Sequence, residues 1–164
     1  MKNVKWIFVV LLMSSLISFV DKDTPTSGLN VGDKAPSFVV KPFGSNRTVK
    51  LKDMKSKYLL LSFWAAYDAK SRMDNACLNH AVSTLDIPVK MISVSFDEYL
   101  SVLDETVKED CINTKNCYVE TTGENSDLFR TYRLNKGFNN YLLNDKGVII
   151  AKNITASDLR IYVK

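Results

Sequence analysis

A run of apolar residues that leads directly into a helix constrains this sequence more than any other feature. The residues from Tyr58 to Phe63 are mostly apolar, and Trp64 and two alanines connect them to a helix predicted to begin near Asp68. This order is typical of a buried strand that feeds a helix N-terminus. In α/β proteins such a junction often holds ligands or reactive groups, because unpaired backbone N–H groups and the helix dipole favour negative charge there.

The stretch from Tyr58 to Arg72, YLLLSFWAAYDAKSR, resembles the active-site region of the thioredoxin-like family. The resemblance is to the periplasmic or membrane-anchored thiol-disulfide branch, whose members read roughly FWASWCGPCR where this chain reads FWAAYDAKSR. The resemblance therefore aligns Asp68 and Ser71 with the two cysteines of the family. A second matching segment is VGDKAPSFVV, from Val31 to Val40, which is similar to the VGxxAPxF entry of the family.

The resemblance implies a thioredoxin-like α/β domain over residues 31–164. Its central mixed sheet would have about four or five strands, flanked by helices. The family also has a cis-proline facing its dithiol, and the corresponding position here lies near Asn139, within Phe138-Asn139-Asn140. The four prolines of this chain lie elsewhere. Since residues other than proline rarely take a cis peptide bond, we expect this loop to be trans.

Asp68 is predicted to be the N-cap of its helix, because its carboxylate can accept from the N–H groups two and three residues further on. A carboxylate cannot carry out thiol exchange, which needs a thiolate. Ser71 lacks a base, since the only histidine, His80, falls on roughly the opposite side of the same helix. We therefore expect no catalytic residue in this stretch.

The three cysteines are spread over two regions. Cys77 shares a helix face with Met73 and Leu78 and is predicted to be a small buried hydrophobe. Cys111 and Cys117 are expected to form a structural disulfide that closes a short loop. Two alternatives stay open, unpaired thiols and a redox-active pair. One histidine and three scattered cysteines form no metal-binding spacing, so neither a metal nor a cofactor is expected.

Further strands and helices complete the predicted domain. Val89 to Phe96 is apolar and β-branched, and should pair in parallel with the first strand through a right-handed crossover. Gly137 to Gly147, with the VIIA that follows, predicts two strands joined by an Asn-Asp-Lys-Gly turn. Helix caps are predicted at Asp97, at Asn125 or Ser126, and at Thr155.

The N-terminal region predicts export. Lys2 and Lys5 precede an apolar run from Trp6 to Val20, so residues 1–20 are typical of a signal peptide or an uncleaved anchor in the inner membrane. Residues 21–30 are polar and predict a flexible linker. The protein is therefore expected in the periplasm or outside the cell, in an oxidising compartment.

Composition sets the remaining limits. The 164 residues are 46% hydrophobic and 24% charged, which fits one globular domain with a core of ordinary size. The net charge is +4, with no basic block and no stripe of alternating basic and aromatic residues. These features argue against nucleic acid as a partner.

Without the dithiol, the sequence favours a redox-inactive, non-enzymatic module that binds a polypeptide or serves as a structural partner. The candidate binding residues are Trp64, Tyr67, Asp68, Phe138 and Asn139. The alternative is a thiol-disulfide oxidoreductase that uses Cys111 and Cys117. Peroxide reduction ranks last, because the first helical turn carries no cysteine. The identity of the partner and the oligomeric state stay open.

Overall fold

The computed structural model describes residues 24–163. The predicted signal or anchor segment, residues 1–20, lies outside the described residues. The strands are β1 (Val39–Pro42), β2 (Val49–Lys50), β3 (Tyr58–Trp64), β4 (Val89–Ser95), β5 (Cys117–Val119), β6 (Asn140–Asn144) and β7 (Ile149–Lys152). The helices are α1 (Ala69–Thr84), α2 (Leu100–Glu109), α3 (Asp127–Thr131) and α4 (Leu159–Tyr162).

All seven strands form one mixed sheet in the order β2-β1-β5-β4-β3-β6-β7. β4 runs parallel to β3 and to β5, and the remaining pairs are antiparallel. The predicted parallel pair and the predicted final hairpin are confirmed. The sheet has more strands than predicted, because β1, β2 and β5 are only two to four residues long and too short to show a hydrophobic period.

The strand β3 lies at the centre of the core, with six of its seven residues buried. On one face of the sheet, Phe63 lies in an aromatic cluster with Phe38, Phe96 and Tyr132. On the other face, Leu60 packs among residues of α1, α4 and the neighbouring strands. β3 therefore ends, at its carboxyl edge, on a rigid base just before α1 begins.

Helix α1 turns a partly polar face toward the core. Asn75 accepts from the Ser93 hydroxyl at 2.8 Å, and Asn79 accepts from the backbone N–H of Asn113 at 2.9 Å. These two amides point inward, so the predicted core face is partly wrong: Met73 is 62% exposed and Cys77 is exposed. Leu78, on the same predicted face, is buried, and so is Ala81.

Two of the four predicted helix caps, those at Asp97 and Thr155, are wrong. α2 begins at Leu100 after Tyr99, and Asp97 bonds elsewhere. α4 begins at Leu159 after Asp158, whose carboxylate accepts from Thr155 instead of Thr155 capping the helix. Ser126 is confirmed as the cap of α3, where its hydroxyl accepts from the Phe129 N–H at 3.1 Å.

The segment of residues 26–35 lies against the sheet, so most of the described part of the predicted linker is ordered. The Lys34 N–H donates to the Thr26 carbonyl at 2.7 Å, which folds the segment into a turn. Gly32 donates to the Ile149 carbonyl at 2.9 Å, and the Ile149 N–H donates to the Asp33 carbonyl at 2.8 Å. These bonds cover part of the outer edge of β7. Within residues 24–163, no helix has the length and apolar character needed to cross a membrane.

Candidate functional site

The N-terminus of α1 is occupied by the side chain of Asp68. Its carboxylate accepts from the Ser71 N–H at 2.7 Å, which confirms the predicted N-cap. The Ser71 hydroxyl donates to the Asp68 carbonyl at 3.2 Å and accepts from the Ala65 N–H at 3.4 Å. Ser71 is buried, and His80 lies exposed further along the helix. Asp68 and Ser71 are thus hydrogen-bonded to each other at the start of the helix. They do not form a catalytic pair of a nucleophile and a general base.

The loop between β3 and α1 is held in place by Asp97. Both carboxylate oxygens of Asp97 accept from the Ala66 N–H, at 2.9 and 3.1 Å, and the Ser95 hydroxyl donates to the same carboxylate at 2.7 Å. The side chain is only 4% exposed. Asp97 is therefore a positioning residue for this loop and not the helix cap that its sequence context predicted. Asp97 lies just after β4, which runs parallel to β3. This position in the sequence indicated that its side chain would lie near the end of β3.

A second loop faces the start of α1. The Asn139 carbonyl accepts from the Phe63 N–H at 3.2 Å, and its side-chain amide donates to the Gly137 carbonyl at 2.9 Å. Asn140 exchanges two hydrogen bonds with the backbone of Ile154, at 2.9 and 3.0 Å. The peptide bonds of residues 24–163 are all trans, including those at Asn139. This loop is thus pinned to both β3 and the segment after β7.

An aromatic pair joins the two loops. The rings of Tyr67 and Phe138 lie with centroids 6.3 Å apart in an edge-on arrangement. Phe138 also contacts Phe96 and Phe129, at 5.9 and 6.1 Å, so it links this pair to the core. Tyr67 is 64% exposed and stands at the surface between the loops.

Trp64 does not belong to this surface, which corrects one of the five predicted binding residues. Its side chain is fully buried, and its indole N–H donates to the Ser93 hydroxyl at 2.8 Å. Ser93 is also the residue that donates to Asn75 in α1. Trp64 therefore fixes α1 against the sheet. The structure brings the other four predicted residues together around the two loops.

Two cavities flank the Tyr67 and Phe138 pair. We define the acidic cavity as the one of about 480 Å³ bounded by the β3–α1 loop, the start of α2 and the turn before α3. Its lining includes Tyr67, Phe96, Asp97, Glu98, Tyr99 and Glu124. The polar cavity, of about 350 Å³, lies on the other side and is lined by Asp68, Lys70, Ser71, Lys136 and Asn139 among others.

The electrostatics of the acidic cavity act on Tyr67. Partial burial raises the pKa of the Tyr67 hydroxyl, and four nearby carboxylates raise it further. In order of effect they are those of Glu124, Asp97, Asp68 and Glu98. The surface around Tyr67 therefore carries negative potential, which favours positive charge in a ligand.

The cysteines do not form the predicted disulfide. All three thiols are free: Cys77 and Cys111 are exposed, and Cys117 is fully buried. Cys117 begins β5 and points into an apolar cluster with Trp64 and Leu103, while Cys111 lies outside the core at the end of α2. The short spacing in sequence suggested a bond, but the two side chains lie in different environments.

Thiol labelling should distinguish the cysteines. Burial raises the pKa of Cys117 to about 12, with a smaller contribution from Asp97. Native protein treated with iodoacetamide at pH 8 is expected to take up two labels, on Cys77 and Cys111, and a third only after unfolding. Mass spectrometry of the alkylated protein measures this. Protection of both Cys111 and Cys117 until reduction would show that they are bonded after all.

Cys117 also makes stability depend on alkaline pH. The unfolded thiol ionises near pH 9, whereas the folded thiol stays neutral until about pH 12. The free energy of unfolding is therefore expected to be unaffected by this group below pH 9 and to fall as the pH rises from about 9 to about 12. Urea denaturation across this range should show a weaker decline in a Cys117→Ala variant, with Cys111→Ala as the control.

Comparisons with known proteins give matches at the level of structure. No family model and no curated protein matches the chain. A thioredoxin-like protein from Parabacteroides distasonis is 39% identical, with a TM-score of 0.73 over 84% of this chain and 97% of that chain. The thioredoxin domain of a thiol-disulfide oxidoreductase from Bacteroides vulgatus is 22% identical, with a TM-score of 0.72 over 84% and 100%. A thiol-disulfide oxidoreductase from Bacteroides fragilis is 23% identical, with a TM-score of 0.64 over 79% and 97%. The last two structures share the fold of this chain.

Proposed function

Because this chain belongs to the thioredoxin-like family, we propose that it is an exported member that binds an extended polypeptide and exchanges no disulfides. One observation carries the proposal. The carboxylate of Asp68 fills the N-terminus of α1, where the resemblance sets the attacking thiol of the family, and accepts from the Ser71 N–H at 2.7 Å. The chain keeps the fold of the family, but the residue at the position of the attacking thiol is a helix cap.

The other thiols offer no replacement for that position. An exchange reaction needs a thiolate that can reach the substrate, and the thiolate fraction falls as the pKa rises. Cys117 is buried with a pKa raised to about 12, so it is protonated and enclosed at neutral pH. Cys77 and Cys111 lie exposed on the surface, and neither forms a disulfide with another cysteine.

The proposed binding surface is the exposed ring of Tyr67 with the two loops that meet at Phe138. Exposed aromatic side chains held on rigid supports are common anchors at interfaces, because they bury a large area at a small entropy cost. Asp97 supports the first loop and Asn140 the second. Pairing of the polypeptide with β7 has less support, since Asp33 already binds the Ile149 N–H at that edge.

The proposal places the protein in the periplasm or outside the cell, free or anchored to the inner membrane. The apolar run from Trp6 to Val20 behind Lys2 and Lys5 supports export. The names of the similar structures, which include thiol-disulfide oxidoreductases, agree with a family that works on exported proteins.

A binding measurement tests the main proposal. Fluorescence anisotropy with a labelled polypeptide that has been reduced and alkylated, and so stays unfolded, should show saturable binding to the wild-type protein. Tyr67→Ala is expected to weaken this binding by about tenfold, because it removes the exposed anchor. Tyr162→Ala is the matched control, since Tyr162 is an exposed tyrosine on α4 that lines neither cavity. Equal losses in both variants, or no binding by the wild type, would contradict the proposal.

The alternative function is disulfide exchange through Cys111 and Cys117, which the names of the similar structures favour. An insulin-reduction assay with dithiothreitol distinguishes disulfide exchange from polypeptide binding alone. We expect wild-type protein and a Cys111→Ser variant to give the same rate as buffer, because Cys117 cannot form a reactive thiolate where it lies. A wild-type rate above background that is lost in Cys111→Ser would establish the enzyme.

A further inference from the structure

The acidic cavity combines an apolar lining with a charged rim. Tyr67, Tyr99 and Val102 line it and are all strongly exposed, so the protein presents a group of large apolar side chains to solvent at this point. The carboxylates of Glu98 and Glu124 lie at the same cavity. Exposed apolar groups that cluster in a concave surface indicate a docking site.

We propose that the acidic cavity binds the side chain of a lysine or arginine in the polypeptide, so that the protein selects basic segments. The inference rests on the proposed function, because it names the chemistry that the bound polypeptide must carry. Its basis is the juxtaposition of Tyr67 and Tyr99 with Glu98 and Glu124 in one cavity.

Charge complementarity determines the kind of occupant. The one basic residue of the lining, Arg72, is already neutralised: its guanidinium donates to Asp110 at 2.7 and 2.8 Å and to Glu109 at 2.9 Å. Among the residues that the structure describes, the lining of the cavity therefore has no unpaired basic side chain that would offset the negative charge of Glu98 and Glu124. The chain as a whole has a net charge of +4, so the negative charge at this cavity is a local feature that would attract a basic segment here.

The side chain of Glu98 lies close to the backbone of Gly123. Gly123 has a φ of +59°, and a Cβ built on it would lie 3.0 Å from Oε1 and 3.1 Å from Cγ of Glu98. The absence of a side chain at Gly123 thus gives Glu98 room to lie across the turn before α3.

The shape and composition of the cavity suit a long cationic side chain. An ammonium or guanidinium group interacts favourably with the face of a tyrosine ring, which Tyr67 and Tyr99 can supply. The aliphatic stem of the same side chain can pack on Val102, which is exposed in the lining. The volume of about 480 Å³ is sufficient for one such side chain.

A matched pair of peptides tests the inference. Each is nine residues long, built from serine, threonine and valine, and carries an uncharged dye, and the central residue is arginine in one and citrulline in the other. Citrulline has nearly the same shape as arginine without the charge. The wild-type protein is expected to bind the arginine peptide at least about fivefold more tightly at low salt, and the difference should shrink as salt is added.

Variants assign the preference to the cavity. Glu98→Gln with Glu124→Gln should remove most of the preference for arginine, so that the ratio of the affinities for the arginine and citrulline peptides falls toward one. Glu105→Gln is the control, because Glu105 is exposed on α2 but does not line the cavity. Equal binding of both peptides by the wild type would overturn the inference while leaving the proposed function intact. Failure of both peptides, together with failure of the unfolded polypeptide, would overturn the proposed function itself.

Discussion

Replacing Phe63 by alanine is expected to lower the free energy of unfolding by about 3–5 kcal/mol. Phe63 is 2% exposed and lies at the middle of the aromatic cluster. Its ring centroid lies 4.6 Å from that of Tyr132 and about 6 Å from those of Phe38, Phe96 and Tyr141. Truncation would leave a cavity that these rings, fixed on four different segments, cannot close.

Urea denaturation followed by circular dichroism measures this loss. Phe63→Leu keeps most of the volume and should cost no more than about 1.5 kcal/mol. Tyr67→Ala is the second control, since it removes an exposed ring and should change stability by less than about 0.5 kcal/mol. A Phe63→Ala loss as small as that of Tyr67→Ala would show that the cluster does not hold the sheet together.

Asp97→Ala is expected to have the second-largest effect, a loss of about 2–4 kcal/mol. The substitution removes the acceptor of the Ala66 N–H, which is half-buried, and of the Ser95 hydroxyl, which is buried. The Ala66 N–H would be left without a partner, and the loop that carries Tyr67 would lose its support. We expect binding of the unfolded polypeptide to weaken as well, because Tyr67 would no longer be held in place.

Asp97→Asn separates the positioning role from general instability. The amide oxygen can still accept from the Ala66 N–H, so the loss should be about half as large. Hydrogen exchange at the amide of Ala66 gives a readout that a simple packing defect would not change. Exchange that stays as slow as in the wild type in Asp97→Ala would contradict the role of Asp97 in holding this loop.

The sequence predicted those parts of the fold that depend on near neighbours in the chain. The caps at Asp68 and Ser126 were found because an N-cap needs only a short polar side chain and an N–H group within three residues. The parallel pairing of β3 and β4 followed from two strongly apolar runs with a helix between them. The loops of Tyr67 and Phe138 were found through the resemblance and not through a residue pattern.

Several errors involve partners that are distant in the sequence. Trp64 was expected at the surface, but Ser93 on the neighbouring strand supplies a buried acceptor for its indole N–H. Cys77 was expected inside, but Asn75 and Asn79 find partners across the core and take the inward positions. The acidic cavity was missed because its lining comes from three separate segments, none of which carries a motif.

The segment of residues 26–35 has a consequence for solubility. A strand at the edge of a sheet is a template onto which another copy can add, and this is a common route to aggregation. At the other edge of this sheet, β2 is only two residues long and ends in Lys50, so it offers little to pair with. At the β7 edge, Gly32 and Asp33 already bind both backbone groups of Ile149. The segment before β1 therefore blocks part of the edge at which a second copy could add to the sheet.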